Sequence, residues 1–283
     1  MSESIQNLID LALAEDIGEG DVTSEYFIPS ERCARAMVTA RASGVVSGIE
    51  LAALVFTTAD STLEVECLIP SGSHVSEGAI LIQVEGCARS ILTAERTALN
   101  FIQRLSGVAT LTALYVEAVK DTPTRILDTR KTTPGYRQLE KQAVLDGGGT
   151  NHRMGLYDRA MVKDNHLVAD GGLNALQNAI HRLKKEKPEV EIELECDNLD
   201  QMRDFLTLEG VDFLLLDNMD PVKLSEAVEM RGQHGKPLLE ASGGIRFENL
   251  KAIAASGVDF ISVGALTHSA PALDIGLDFI PID

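Results

Sequence analysis

Two rhythms of apolar and polar residues run along this chain, and one gives way to the other near residue 120. Early on, Ile5, Leu8, Ile9 and Leu13 recur at helical spacing and predict a helix over residues 5–14. A Gly- and Asp-rich loop, EDIGEGDVTSE, follows. Segments 34–40, 44–49, 62–69 and 79–85 read as short strands, with a helix near 50–59. The run IPSGSHVSEGAILIQVEG has the turn-and-strand rhythm of a carrier-type hairpin. No lysine sits in it to accept biotin or lipoate, so it reads as a structural β layer. Over 91–120, Ile91, Ala98, Ile102, Leu105, Leu111, Leu114 and Ala118 share one helical face. Ser106-Gly107 is expected to break or kink that helix.

From about residue 125 the rhythm becomes strand, loop, helix. RILDT, AMVKDN, VEIELEC, VDFLLLD, PLLEASGG and VDFISVGA are short apolar strands. Helical stretches near 172–186, 198–208, 221–231 and 247–256 separate most of them. Such alternation predicts parallel strands with crossover helices. No GxGxxG follows the first strand, so a dinucleotide-binding unit is unsupported. About six strands suit an incomplete β/α barrel. Its strand ends would form one rim, where residues far apart in sequence converge. Those ends are Asp128, Arg130 and Lys131; Lys163, Asp164 and Asn165; Glu195; Asp217 and Asn218; Ser242-Gly243-Gly244; and Gly264.

Charge sharpens this picture. The 283-residue chain has a formal net charge of −18, which argues against nucleic acid or an anionic membrane as the main partner. Yet residues 125–163 hold eight basic residues against four acidic ones. Cations gathered against the background point to a site for a small polyanion. Gly147–Gly149, followed by Asn151, His152 and Arg153, add close backbone approach and directional donors. Arg130, Lys131, Arg153 and Lys163, with His152, form the cationic set; guanidinium groups bind carboxylates bidentately and ammonium groups act as compact charges. For Arg125, Arg137, Lys141 and Arg159, a solvated surface charge is at least as good a reading.

Glu195 and Asp217 form an acidic pair that could accept ribose hydroxyls, hold hydrated Mg2+ or stabilise positive charge on a sugar ring. Glu193 shares the strand face of Glu195, and pattern alone does not choose between them. The turns Ser242-Gly243-Gly244 and Val263-Gly264-Ala265 end the last two strands, where backbone N–H groups often hold phosphate. Arg96, on the linking helix, is not placed in a site by spacing. His74, His181, His234 and His268 lack partners at metal-ligand spacing and read as surface or core residues. The cysteines, Cys33, Cys67, Cys87 and Cys196, are widely spaced, as free thiols in a reducing cytosol would be, and a structural zinc site is not expected. The N-terminus resembles no signal peptide and no apolar run would span a bilayer, so a soluble, cytoplasmic protein is expected.

These motifs together resemble quinolinate phosphoribosyltransferases. The resemblance starts at ALAEDIGEGDVTSE and AERTALNFIQRLSGVAT. It is strongest over DTRKTTPGYRQLEKQAVLDGGGTNHRMGLYDRAMVKDNH, then ELEC, LLLDN, EASGGI and ISVGALTHSAPALD. It implies an α/β fold, with an N-terminal α/β sandwich domain (1–110, joined by the tail 270–283) and an open β/α barrel (111–269). It implies transfer of phosphoribose from 5-phosphoribosyl 1-diphosphate (PRPP) to quinolinate with decarboxylation, giving nicotinate mononucleotide, diphosphate and CO2. The alternatives are a related pyrophosphorylase-like transferase and a non-catalytic phosphosugar-binding paralogue. The resemblance further implies a homodimer in which Arg96 of the neighbouring subunit contacts quinolinate. Arg130, His152, Arg153 and Lys163 would line the quinolinate site. Lys131, Glu195 and Asp217 would serve the ribose diphosphate side, with Thr132 beside them in the binding set. Ser242–Gly244 and Val263–Ala265 would hold the 5-phosphate, and Mg2+ would ride on PRPP. Lys131, Lys163, Glu195 and Asp217 would carry the chemistry.

Overall fold

A computed structural model describes residues 3–163, 172–232 and 235–280. The chain divides into two compact units. The first comprises residues 1–113, 134–148 and 270–283, and the second 114–133 and 149–269. The segment 134–148 thus belongs with the first unit, whereas the sequence reading assigns it to the barrel.

The first unit opens with helices α1 (Glu3–Ile17) and α2 (Val22–Phe27). Strands β1 (Cys33–Ala40) and β2 (Gly44–Val45), helix α3 (Ile49–Ala59), and strands β3 (Glu64–Cys67), β4 (His74–Val75) and β5 (Ile80–Cys87) follow, then helix α4 (Ala88–Val119). In β1, Ala34, Ala36, Val38 and Ala40 are buried at alternate positions, the period of a strand with one covered face. Helix α3 buries Ile49, Ala52, Val55 and Phe56 on one stripe. The sheet runs β12-β1-β5-β3, where β12 (Ile275–Ile280) pairs antiparallel with β1.

Helix α4 runs unbroken through Ser106-Gly107, contrary to the expected break. Ser106 is fully buried and bonds the Ser47 backbone, accepting its N–H at 3.0 Å. Gly107 is there for close approach: a Cβ would lie 1.9 Å from the Pro271 carbonyl oxygen. Helix α5 (Arg137–Asp146) also belongs to the first unit. It buries Glu140 and Lys141 completely, and Arg104 pairs with Glu140 at 2.7 Å.

The second unit is built on six parallel strands: β6 (Arg125–Leu127), β7 (Arg159–Val162), β8 (Glu191–Cys196), β9 (Phe213–Asp217), β10 (Leu238–Ser242) and β11 (Phe260–Ser262). Their order is β6-β11-β10-β9-β8-β7. Among the described residues β6 and β7 do not pair, so the barrel is open there. Helices 172–186, 199–205, 221–231 and 247–254 form the crossovers. Asn198 and Asp220 cap two of them, accepting the amides of Gln201 and of Val222 and Lys223. Leu127, Phe213 and Phe260 pack inside the barrel, with Arg159 stacked 4.0 Å over the Phe213 ring and Arg125 4.9 Å over Phe260. Among the described residues, no helix is long and apolar enough to cross a membrane.

Candidate active site

Strand parity builds this site. Side chains alternate faces along a strand, so the inward set of β8 is Glu191, Glu193 and Glu195, and that of β9 is Phe213, Leu215 and Asp217. On β10 the inward set is Leu238, Glu240 and Ser242. The upper members open into one cleft of about 650 Å³.

Arg130, Lys131, His152, Arg153 and Lys163 line that cleft, with Glu195, Asp217, Ser242, Gly243 and Gly244 facing them. The structure therefore gathers most of the sequence-derived set, which follows five separate strands, β6 to β10. Thr132, Val263, Gly264 and Ala265 are not among the lining residues. Val263 is fully buried, and Gly264 abuts Lys131: a Cβ there would sit 3.1 Å from the Lys131 Cδ. His268 packs on the same glycine. Arg96 lies exposed on α4 in the first unit, outside the cleft lining. Asp164, Asn165 and His234 lie outside the described residues.

The backbone around His152 is fixed from β6. Thr150 donates its amide to Ile126 at 2.8 Å, and the fully buried Asp128 carboxylate accepts the His152 amide at 2.9 Å. One Arg153 guanidinium nitrogen donates to the Arg159 carbonyl at 3.2 Å, which aims the side chain across the strand end. Burial first, and then the charge of Arg130, push the Arg153 guanidinium down from its usual range. Like charges held this close call for an anion between them. On the far side Lys163 bridges to Glu195.

Asp217 is set by its neighbour. Asn218 donates its side-chain amide to the Asp217 carboxylate at 2.7 Å and its backbone N–H to the Ser242 carbonyl at 2.8 Å. Asn218 adopts φ 53°, a left-handed conformation that asparagine tolerates better than most residues. It presses on Gly243, where a Cβ would fall 2.3 Å from the Asn218 side-chain oxygen. Gly243 and Gly244 both have positive φ, 83° and 60°. This turn lines the cleft beside Asp217 and leads into the helix at 247–254.

At the floor of the cleft, with Glu240 among its lining residues, lies a layer the sequence reading does not resolve. Glu193 and Glu240 are both fully buried. Their carboxylates approach His152 Nε2 at 3.1 and 3.4 Å. Glu193 also faces Arg159 at 3.6 Å, and Ser262 donates to Glu240. Glu193 and Glu195 differ in position: Glu195 lines the cleft, and Glu193 is fully buried outside its lining. Glu240 was not singled out, although parity carried the signal, since it stands two residues before Ser242 on the same strand.

The protonation of this layer follows from its contacts. Burial pushes the His152 ring down, but Glu193 and Glu240 together outweigh it and raise the pKa to about 9. Nδ1 accepts the Arg153 amide at 2.6 Å, a bond that only the neutral ring can make and that opposes this rise. Two carboxylates outweigh one neutral amide bond, so the net direction is upward. Burial disfavours the Glu193 carboxylate, yet His152 and Arg159 hold it below the usual range. Burial and the Glu193 charge push the Glu240 carboxyl above the usual carboxylate range. The trio His152, Glu193 and Glu240 has the residue types of a metal site, with ligand atoms within 4.8 Å of one another. Charge complementarity among its own members already accounts for that spacing.

This geometry can neutralise a small polyanion on one side, meet a sugar on the other and receive a phosphate at the Gly243-Gly244 turn. Comparison with known proteins identifies the family. The C-terminal domain model of quinolinate phosphoribosyl transferase matches residues 108–278, and its N-terminal domain model matches residues 21–106. The chain is 43% identical to a chloroplastic nicotinate-nucleotide pyrophosphorylase [carboxylating] of Oryza sativa, over 96% of this chain and 77% of that protein. It is 40% identical to the Mycobacterium leprae nicotinate-nucleotide pyrophosphorylase [carboxylating], over 98% of this chain and 97% of that one. The solved nicotinate-nucleotide pyrophosphorylase of Francisella tularensis superposes with a TM-score of 0.92 at 37% identity, covering 98% of this chain and 96% of that one. The chain belongs to the quinolinate phosphoribosyltransferase family.

Proposed function

We propose that this chain transfers phosphoribose from PRPP to quinolinate and decarboxylates the adduct, yielding nicotinate mononucleotide, diphosphate and CO2. One observation carries this reading: Arg130, Lys131, Arg153 and Lys163 converge with Glu195, Asp217 and the Gly243-Gly244 turn in a single cleft. Quinolinate carries two adjacent carboxylates that repel one another. A site that binds it must neutralise both, and Arg130, Arg153 and Lys163 are placed to do so. The same contacts hold the pyridine nitrogen in line with the ribose carbon, and such positioning supplies much of the rate.

As the nitrogen–carbon bond forms, the bond from that carbon to diphosphate breaks. The ribose carbon becomes oxocarbenium-like, and the carboxylates of Glu195 and Asp217 stabilise it. The turn at Ser242–Gly244 receives the 5-phosphate. Mg2+ bound with PRPP would neutralise part of the diphosphate charge, and the carboxylate oxygens of Glu195 and Asp217 are the hard ligands that suit it. Once ribosylated, the ring nitrogen is cationic. The bond to the adjacent carboxylate then breaks, its electron pair stays on the ring carbon beside that charge, and the carbon takes a proton.

A second copy of the chain completes the site by bringing Arg96. Its support is the exposure of Arg96 on α4 and its absence from the lining of the cleft. Purified protein incubated with quinolinate, PRPP and Mg2+, with nicotinate as a parallel substrate, tests the reaction. One CO2 per nucleotide from quinolinate, and no product from nicotinate, is expected. A folded protein that makes no product from quinolinate would overturn the reading.

A further inference from the structure

Burying Glu193 and Glu240 takes two carboxylates out of water, which costs several kcal/mol per ion before any partner is counted. Apolar side chains of similar volume would hold a barrel together as well or better. Packing therefore does not account for these acids, and their placement does. They come from β8 and β10, and both converge on Nε2 of one ring, His152, at 3.1 and 3.4 Å. Ser262 on β11 fixes Glu240, and Arg159 on β7 faces Glu193 at 3.6 Å. Four strands of the barrel thus anchor a single side chain that lines the cleft. The other edge of that ring, Nδ1, stands 2.6 Å from the Arg153 amide nitrogen. At 2.6 Å the ring edge and the Arg153 amide are in contact whichever way Nδ1 is protonated, so a shift of the imidazole displaces the Arg153 backbone that follows it in sequence, and the guanidinium with it.

We propose that Glu193 and Glu240 are positioning residues for the reaction: from the floor of the cleft they fix the His152 ring and, through its Nδ1 edge, the Arg153 backbone against which an aromatic dicarboxylate docks. The inference rests on the quinolinate reading above and adds to it a specific division of labour. Glu193 lies below the lining of the cleft, and Glu240 is a fully buried member of it. They act on the aromatic acid side of the cleft, because Arg153 lies there. The ribose side is set by contacts of its own, from Asn218 to Asp217 and from Asn218 to Gly243.

Steady-state kinetics of wild type, Glu193→Gln, Glu240→Gln and the double variant Glu193→Leu/Glu240→Leu test this, with KM measured separately for quinolinate and PRPP. The double variant is expected to fold and to lose about 100-fold in kcat/KM for quinolinate, the scale of a 1 Å misplacement. Its KM for PRPP stays at the wild-type value. Each Gln variant keeps an acceptor for His152 and shows a smaller loss in the same direction. A merely structural role would lower the folded fraction and leave both KM values alone. A folded double variant with wild-type kcat/KM for quinolinate overturns the proposal. Should the double variant fail to fold, the Gln variants decide: a quinolinate KM equal to wild type in both overturns it equally. Absence of quinolinate turnover by the wild type would instead overturn the functional reading, and this inference with it.

Discussion

Burial alone would strip the second proton from His152, yet Glu193 and Glu240 lift its pKa to about 9 from an ordinary 6.5. The sign of the linkage follows. The folded state binds that proton more tightly than the unfolded chain, so the ring's contribution to stability is fully present below pH 6.5 and is lost as pH rises through 9. A rise of this size corresponds to stabilisation on the order of 3 kcal/mol. The thermal midpoint of the wild type should therefore fall between pH 6.5 and 9.5 relative to His152→Asn, which lacks the titrating ring. Parallel midpoints for the two proteins across that range would refute the raised pKa. What could be read at this scale in advance was uneven. Arg130, Lys131, Arg153 and Lys163 stood out because cations in an acidic chain are conspicuous. Glu193 and Glu240 did not, because an acid in an acidic chain carries no contrast, and depth below a rim is a property of strand stagger rather than of sequence spacing.

Local periodicity located the elements well: the six apolar runs after residue 125 became the six parallel strands, and four helical stretches became their crossovers. The failure at Ser106-Gly107 has a physical cause. A glycine weakens a helix by roughly 1 kcal/mol against alanine, which packing can override. Here the packing partner is the Pro271 carbonyl, 164 residues downstream and invisible to any local window. Gly107→Ala would improve intrinsic helix propensity and still destabilise the protein, since its Cβ would lie 1.9 Å from that oxygen. A loss of about 1–3 kcal/mol is expected, the usual cost of overpacking. Urea unfolding monitored by circular dichroism measures it. A midpoint at or above that of the wild type would show that α4 and the 270–280 segment do not pack this way.

At the scale of the whole molecule, the distribution of charge matters more than its sum. A net charge of −18 coexists with a cleft lined on one side by Arg130, Arg153 and Lys163. Topology makes this possible, because parallel strands deliver their C-terminal residues to one rim whatever the rest of the surface carries. Arg96 stands outside that logic. It is exposed, it lies in the first unit, and no strand end brings it to the rim. Only the family resemblance pointed to it, and a second copy of the chain is the agent that would deliver it. Two inactive variants test that arrangement. Arg96→Ala keeps a complete barrel and cannot supply the arginine; Lys163→Ala supplies the arginine and has a defective barrel. Mixed in equal amounts and allowed to exchange subunits, they should recover about a quarter of wild-type activity, since half of the dimers are mixed and each has one intact site of two. Recovery must fail when subunit exchange is blocked by cross-linking each variant beforehand. Mixed dimers that form, as shown by native mass spectrometry, and yet stay inactive would place Arg96 outside the reaction.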